Sequence, residues 1–207
     1  MATTLLLARH AETGWNYAER FTGISDVPLN DTGLFQAQAL ARQIIAFNAP
    51  VASVYSSALQ RSRSTVQPLA ERLGIEVQVI PELRELDYGE WEGLTLLQIQ
   101  AHSLELFPQW LKDPAALAPP GGETGIALVE RVLPVIKALV VRHEGQVFFI
   151  AGHKSVNRLL ICALFGIPLA SYRQAIRQDP ACLNELCFDD SQPSLVHLND
   201  TCHLKNK

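Results

Sequence analysis

The hydrophobic pattern opens on a continuous run. Residues 3–8 (TTLLLA) show no alternation of apolar and polar positions, as expected of a strand buried on both faces. A polar loop with Gly14, Gly23 and Pro28 follows. Asn30, Asp31 and Thr32 offer helix caps. Leu34, Ala37, Ala41, Ile44 or Ile45, and Phe47 then recur at helical spacing until Pro50. Residues 51–55 predict a second strand. Ser56 and Ser57 are placed to cap a helix over 58–73, with Pro68 inside it as a kink and Gly74 closing it. Residues 75–80 predict a third strand.

From 81 to 122 no strand signal remains. The segment offers one helix near 95–107 and the loop DPAALAPPGGE, so it reads as an insertion or lid. Ile126, Val129, Leu133, Ile136 and Val140 predict the next helix, bent at Pro134. A strand at 147–151 and a helix at 154–165 follow, with two last strands at 182–188 and 194–198. Such alternation predicts an α/β layer fold with a mainly parallel sheet, whose ligands lie beyond the carboxyl ends of the strands. A chain of 207 residues suffices for a single domain, 1–207, with the lid at about 81–122.

Composition narrows the partners. With 48% apolar and 18% charged residues the chain is an ordinary globular one. A net charge of -4 gives no electrostatic reason to expect nucleic acid or an anionic membrane surface. The early apolar run is too short for an export signal, and no stretch approaches the roughly 20 apolar residues of a spanning helix, so a cytoplasmic location is expected. Cys162, Cys182, Cys187 and Cys202 form no C-x-x-C pair and read as buried or incidental thiols. No heptad repeat and no conspicuous sticky strand appear.

The chemistry stands at the strand ends. Arg9 and His10 follow the first strand. Ser56 and Ser57 follow the second, with Arg61 in the first turn of the next helix. Gly152, His153 and Lys154 follow the strand VFFIA. A cation in a first helical turn opposes the macrodipole, and a locally unfavourable choice often marks a site. Arg9 and Arg61 can each grip two oxygens of one tetrahedral anion, assisted by free backbone N–H groups. Taken singly, these residues read as a solvated strand end, a surface arginine and a structural histidine. Three turns converging on one edge predict an anion site. The turns hold neither paired carboxylates nor a His-x-x-x-His, so neither metal nor cofactor is expected.

ARHAETGWN resembles the Arg-His-Gly-Glu-Thr signature of the histidine phosphatase superfamily, the phosphoglycerate mutase-like family. RFTGISDVPLNDTG, YSSALQRSRSTV, ELRELDYGEWEG, PGGET and AGHKSVNR continue the resemblance in order along nearly the whole chain. It implies a three-layer sandwich and a phosphohistidine mechanism. His10 would attack phosphorus, while Arg9, Arg61 and His153 hold the phosphoryl oxygens. Glu85 would protonate the leaving group; the family pattern E-x-x-x-G selects it, with Glu82 in reserve. Asn16, Thr22 and Gly23 would line the pocket. Lys154 either joins them or points to solvent. By the same analogy Glu12 is structural, and Glu123 with Thr124 is either a helix start or a substrate contact. Two residues depart from the pattern: Ala11 and Lys154 stand where glycine is usual, and the turn at Ala11 must accept a Cβ.

That mechanism is chemically coherent. Neighbouring arginines disfavour protonation of a nucleophilic imidazole, fixed cations stabilise the equatorial oxygens, and an alkoxide leaving group needs an acid. The resemblance is strongest to the phosphatase branch, including small bacterial phosphatases of the α-ribazole type. A mutase would want more basic residues in 81–122 than Arg84 and Lys112. The expected activity is therefore metal-independent hydrolysis of a small phosphate monoester. Mutase-type phosphoryl transfer and a phospho-ligand binding module are the alternatives. A cation-poor lid further predicts a substrate with little charge beyond its one phosphate. Tyr88 and Trp91 read as core residues or as flanks of a planar leaving group.

Overall fold

The computed structural model describes residues 2–47, 50–190 and 192–205. In chain order the elements are β1 (Thr3–Arg9), α1 (Gly14–Tyr17), α2 (Asp31–Ala46), β2 (Val51–Ser56), α3 (Gln60–Leu73), β3 (Val77–Val79), α4 (Leu96–His102), α5 (Leu106–Lys112), α6 (Gly125–Arg142), β4 (Val147–Gly152), α7 (Lys154–Phe165), α8 (Tyr172–Ala175), β5 (Leu183–Asp189) and β6 (Gln192–Asp200). They build a sheet in the order β3-β2-β4-β1-β5-β6.

The unbroken apolar run of β1 is explained by layers on both faces. Leu5 and Leu7 pack with Leu128, Val132 and Ile136 of α6 and Leu159 of α7. Leu6 and Ala8 point the other way, into Leu40 and Ile44 of α2 and Val66 and Leu69 of α3. β3, β2, β4 and β1 are parallel, as the alternating pattern predicts. β5 and β6 are not: β5 is antiparallel to β1, and β6 to β5. The reason lies in residues 166–182. They carry the chain from the far end of α7 back to the carboxyl edge, so β5 starts beside Ala8 and descends to Thr3.

Several local expectations shift. Leu34 and Phe47 are 52% and 41% exposed, and Leu40 takes the buried stripe with Ala37, Ala41 and Ile44. Docking on β1 selects that face. Ile126 is likewise exposed, and Leu128, Val132, Ile136 and Leu139 form the buried stripe of α6. Ser56 and Ser57 do not cap α3, which starts later, at Gln60, with Leu59 as an N-cap that makes no side-chain bond. Both α3 and α6 run on through their prolines. The single helix expected near 95–107 is two. α4 starts on the Thr95–Gln98 capping box, and the chain breaks at Ser103, whose Oγ accepts from Trp91 Nε1 at 3.0 Å. Trp110 of α5 then meets Trp91 edge-on at 5.1 Å.

Candidate active site

β2, β4 and β1 are neighbours, and their ends are flush. Arg9 pairs with Gly152 and Ser56 with Ala151. The residues one step beyond, His10, His153 and Ser57, therefore come together. The His10 amide donates to Gly152 O at 2.9 Å, and the two imidazole rings lie 5.3 Å apart.

His10 is buried, and its Nδ1 lies 2.8 Å from the Ala11 carbonyl. Nδ1 must donate to that carbonyl, so Nε2 keeps its lone pair. Burial, then Arg61 and Arg9, hold its pKa well below the ordinary value. Ala11 is not among the residues of positive φ, so its Cβ is tolerated; its amide donates to Thr65 Oγ1 at 2.9 Å.

His153 Nε2 sits 2.7 Å from Ser57 Oγ, which also accepts from the Leu59 amide. The Ser57 hydroxyl then donates to the lone pair of Nε2, so Nδ1 carries the ring proton and is the donor. Burial and Arg61 depress the pKa of His153 too. Arg61 donates to Gly23 O at 2.5 Å and Ser25 O at 2.8 Å. Glu92 accepts from the Ile24 and Ser25 amides and so fixes that loop. Arg9 donates to Gln178 O at 2.9 Å. Three buried polar atoms of this group have no protein partner: Arg9 Nε, Arg61 Nε and His153 Nδ1. Buried donors are rarely left so, which marks a place built to meet an acceptor.

A cleft of about 340 Å³ opens here. Arg9, His10, Asn16, Thr22, Glu85 and Lys154 line it. Glu85 is buried against the start of α7 and accepts from the Leu86, Ser155 and Val156 amides at 2.9–3.3 Å. Asn16 spends its carbonyl oxygen on the Thr13 amide. Thr22 Oγ1 donates to Arg20 O. Gly23 does not line the cleft. It is buried behind Arg61, where a Cβ would fall 2.0 Å from Glu92 Oε1 and 2.3 Å from Leu86 O. Lys154 keeps more than a third of its surface open to solvent, yet burial of its ammonium beside Arg9, Arg158 and Arg173 lowers its pKa to about 8.

Other acidic residues sort themselves away from the cleft. Glu12 accepts from Asn30 Nδ2 at 2.8 Å, and Glu123 pairs with Arg131 and Arg84. Thr124 caps α6, and Trp91 is core. Tyr88 does line the cleft, its hydroxyl 2.8 Å from Ser155 Oγ.

The cations of the cleft do not come from the lid. Neither Arg84 nor Lys112 lines the cleft, yet Arg20, Arg158 and Arg173 do, from other parts of the chain. Arg158 lies one helical turn beyond Lys154, a spacing legible in the sequence. Arg173 gave no signal, because it stands on the crossing segment rather than in a strand-to-helix turn. Gln178, which positions Arg9, lies on the same crossing segment and gave no signal either; Ser57 was named at its strand end, but its contact with His153 joins distant segments.

Two buried histidines with depressed pKa values make stability acid-sensitive. The unfolded chain takes up their protons near pH 6.5 and the native state does not, so stability is fully present above that pH and is lost as pH falls. Tm should drop between pH 7 and 5, and His153→Asn should flatten the slope. An identical slope in that variant would rule the assignment out.

Comparison with known proteins agrees with this arrangement. The family model described as "Histidine phosphatase superfamily (branch 1)" matches residues 5–201. Phosphoserine phosphatase 1 of Hydrogenobacter thermophilus is 30% identical over 200 residues, covering 97% of this chain and 93% of that protein. The solved structure of Bacillus stearothermophilus YhfR superposes with a TM-score of 0.90 at 28% identity, covering 98% of this chain and all of that one. A putative alpha-ribazole-5'-P phosphatase from Escherichia coli gives 0.86 at 28% identity, covering 97% of each chain.

Proposed function

The chain belongs to the histidine phosphatase superfamily, and from that membership we propose that it hydrolyses a small phosphate monoester through a phosphohistidine on His10. One observation carries the reading: Arg9 Nε, Arg61 Nε and His153 Nδ1 are buried without protein partners around an imidazole whose Nε2 lone pair is free. Three fixed donors suit the three equatorial oxygens of a phosphoryl group in flight.

In the first step His10 Nε2 forms a bond to phosphorus as the ester P–O bond breaks. Glu85 gives its proton to the departing alkoxide. A water oxygen then attacks phosphorus, its proton passes to Glu85, and the N–P bond breaks to release phosphate. Glu85 is held by backbone amides rather than by a cation, and it lines the cleft into which the leaving group must go. The segment 81–122, which supplies Glu85 and Tyr88, is read as the roof of this cleft.

Rapid quenching during turnover of a labelled phosphate ester tests the intermediate. A phosphoenzyme stable in alkali, labile in acid and mapping to His10 is expected. Failure to trap one in both the wild type and Glu85→Gln would sink the mechanism.

A pH effect follows from Lys154. Its charge is present below about pH 8 and is lost above it. KM for a phosphate ester should therefore rise as pH climbs through 8, and Lys154→Gln should remove that inflection.

A further inference from the structure

Glu85 stands on a stretch with no regular structure of its own: residues 84–88 belong to neither helix nor strand. A buried irregular stretch must find partners for its backbone elsewhere. Here they come from α6 and the loop before it. Arg131, in the second turn of α6, uses all five N–H donors of its guanidinium. Nη1 donates to the carbonyls of Glu82 and Arg84, the latter at 2.9 Å. Nη2 donates to the Glu85 carbonyl at 3.2 Å and to Glu123 Oε2 at 2.8 Å, and Nε to Glu123 Oε1 at 2.7 Å. The Glu123 amide in turn donates to the Asp87 carbonyl at 2.9 Å. The backbone on both sides of the Glu85 side chain is thus held by one ion pair.

The pair is largely withdrawn from water, with 17% of the Arg131 side chain and 12% of the Glu123 side chain exposed. A guanidinium so placed is stable when every donor is met in its plane, and the forked carboxylate and three carbonyls meet them. Burial would raise the pKa of Glu123. The hydrogen bond and charge of Arg131, with Arg84 behind them, more than offset it and hold the carboxyl below its ordinary value. The loop before α6 packs directly on the same stretch. A Cβ on Gly122 would fall 2.5 Å from the Asp87 carbonyl oxygen, and the Pro120 carbonyl accepts from the Glu90 amide at 3.0 Å. The PGGET block is therefore a backbone seat for residues 87–90. Neither Arg131 nor Glu123 lines the cleft.

On its other side Glu85 meets α7. Ser155 and Val156 stand in the first turn of that helix, where amides have no helical acceptor, and both donate to the Glu85 carboxylate. We propose that Arg131 and Glu123 are positioning residues for proton transfer to the leaving group: they fix the backbone of Glu85 so that its carboxyl stays on the α7 amides and within reach of the departing oxygen. This inference rests on the phosphatase reading and adds to it two residues that touch neither substrate nor phosphorus. A misplacement of about 1 Å can cost about 10²-fold in rate. Arg9, His10, Arg61 and His153 stand on other elements, so the grip on the phosphoryl group should be spared.

The test follows leaving-group release in single turnovers of an alkyl ester, glycerol 1-phosphate, and an aryl ester, p-nitrophenyl phosphate. In Arg131→Ala the alkyl rate at saturating ester should fall about 10–10²-fold, with KM little changed. The aryl rate should fall less than about threefold, because nitrophenolate departs without a proton. Arg131→Lys keeps a charge for Glu123 but loses the fork, and should restore part of the alkyl rate. In the Glu85→Gln background Arg131→Ala should cost less than about threefold more, since both act through one group. Losses that multiply in the double variant, or a loss equal on the two esters in Arg131→Ala while Glu85→Gln discriminates them, overturn the proposal. Amide exchange judges the positioning without turnover. The Ser155 and Val156 amides should exchange about tenfold faster or more in Arg131→Ala, while the Asn157 amide, bonded to His153 O at 2.9 Å, keeps its rate. Unchanged exchange at Ser155 and Val156 rejects the clamp, even where neither ester is hydrolysed and the phosphatase reading has failed. If Glu85→Gln does not discriminate the esters, the proton-donor role falls and exchange alone decides the clamp. Should Arg131→Ala not fold, Glu123→Gln, which keeps one acceptor for Arg131, replaces it with the same expected signs.

Discussion

His10→Ala should lower phosphate release from a simple aryl phosphate by about 10⁴-fold or more, the scale seen when a covalent nucleophile is deleted. The assay contains EDTA, so a metal-dependent contaminant contributes nothing. The expectation rests on the His10 ring, whose Nδ1 is committed to the Ala11 carbonyl and whose Nε2 is free. It also rests on Arg61 and Arg9, which with burial keep the ring neutral. Alanine removes the nucleophile and leaves the anion donors in place. The variant should still bind inorganic phosphate, read as a Tm shift. Turnover within tenfold of the wild type would mean that another atom attacks phosphorus, and the central assignment would fall.

Glu85→Gln should show a leaving-group signature. For an alkyl phosphate the loss is expected at about 10²–10⁴-fold, the usual worth of a positioned general acid. For an aryl phosphate whose phenolate departs unaided, the loss in the first step should be much smaller. Glutamine keeps a carbonyl oxygen for the Leu86 and Val156 amides, so the start of α7 should stay folded. Equal losses in that first step, read as the rate of leaving-group release in a single turnover, would show that Glu85 positions the helix rather than donates a proton. Glu82 offers no rival: its carbonyl accepts from Arg131, and its side chain does not line the cleft.

The two variants separate roles that sequence motifs join. A binding module would ignore both. A hydrolase acting through His10 loses nearly everything in the first and discriminates leaving groups in the second.

Much of this was legible in the chain itself. β1, β4 and α7 follow from local rules, because a double-sided strand must be apolar throughout and a helix ends where glycine enters the left-handed region, as at Gly166. Arg9, His10, Arg61 and His153 were legible because each sits at or near a strand-to-helix turn, and parallel strands put such turns on one edge. Sequence also supplied the candidate Glu85, through the spacing to Gly89, though nothing local says which of five nearby acids faces the cleft.

Tertiary structure decided the rest. The buried stripe of α2 moved from Leu34 and Phe47 to Leu40, because docking chooses among faces that periodicity leaves nearly equal. Ser57 turned from a presumed helix cap to the partner of His153, a contact 96 residues away in sequence. Antiparallel β5 arises from the return path of 166–182, which no strand pattern encodes. That same path carries Arg173 to Trp110 and Phe21 and adds to the cleft a cation that the lid does not contain. Local sequence determines which groups stand at the ends of elements, since capping, periodicity and turn chemistry act over a few residues. Which charges share a cleft is set by packing between segments far apart in the chain, and only the folded backbone brings those segments within reach.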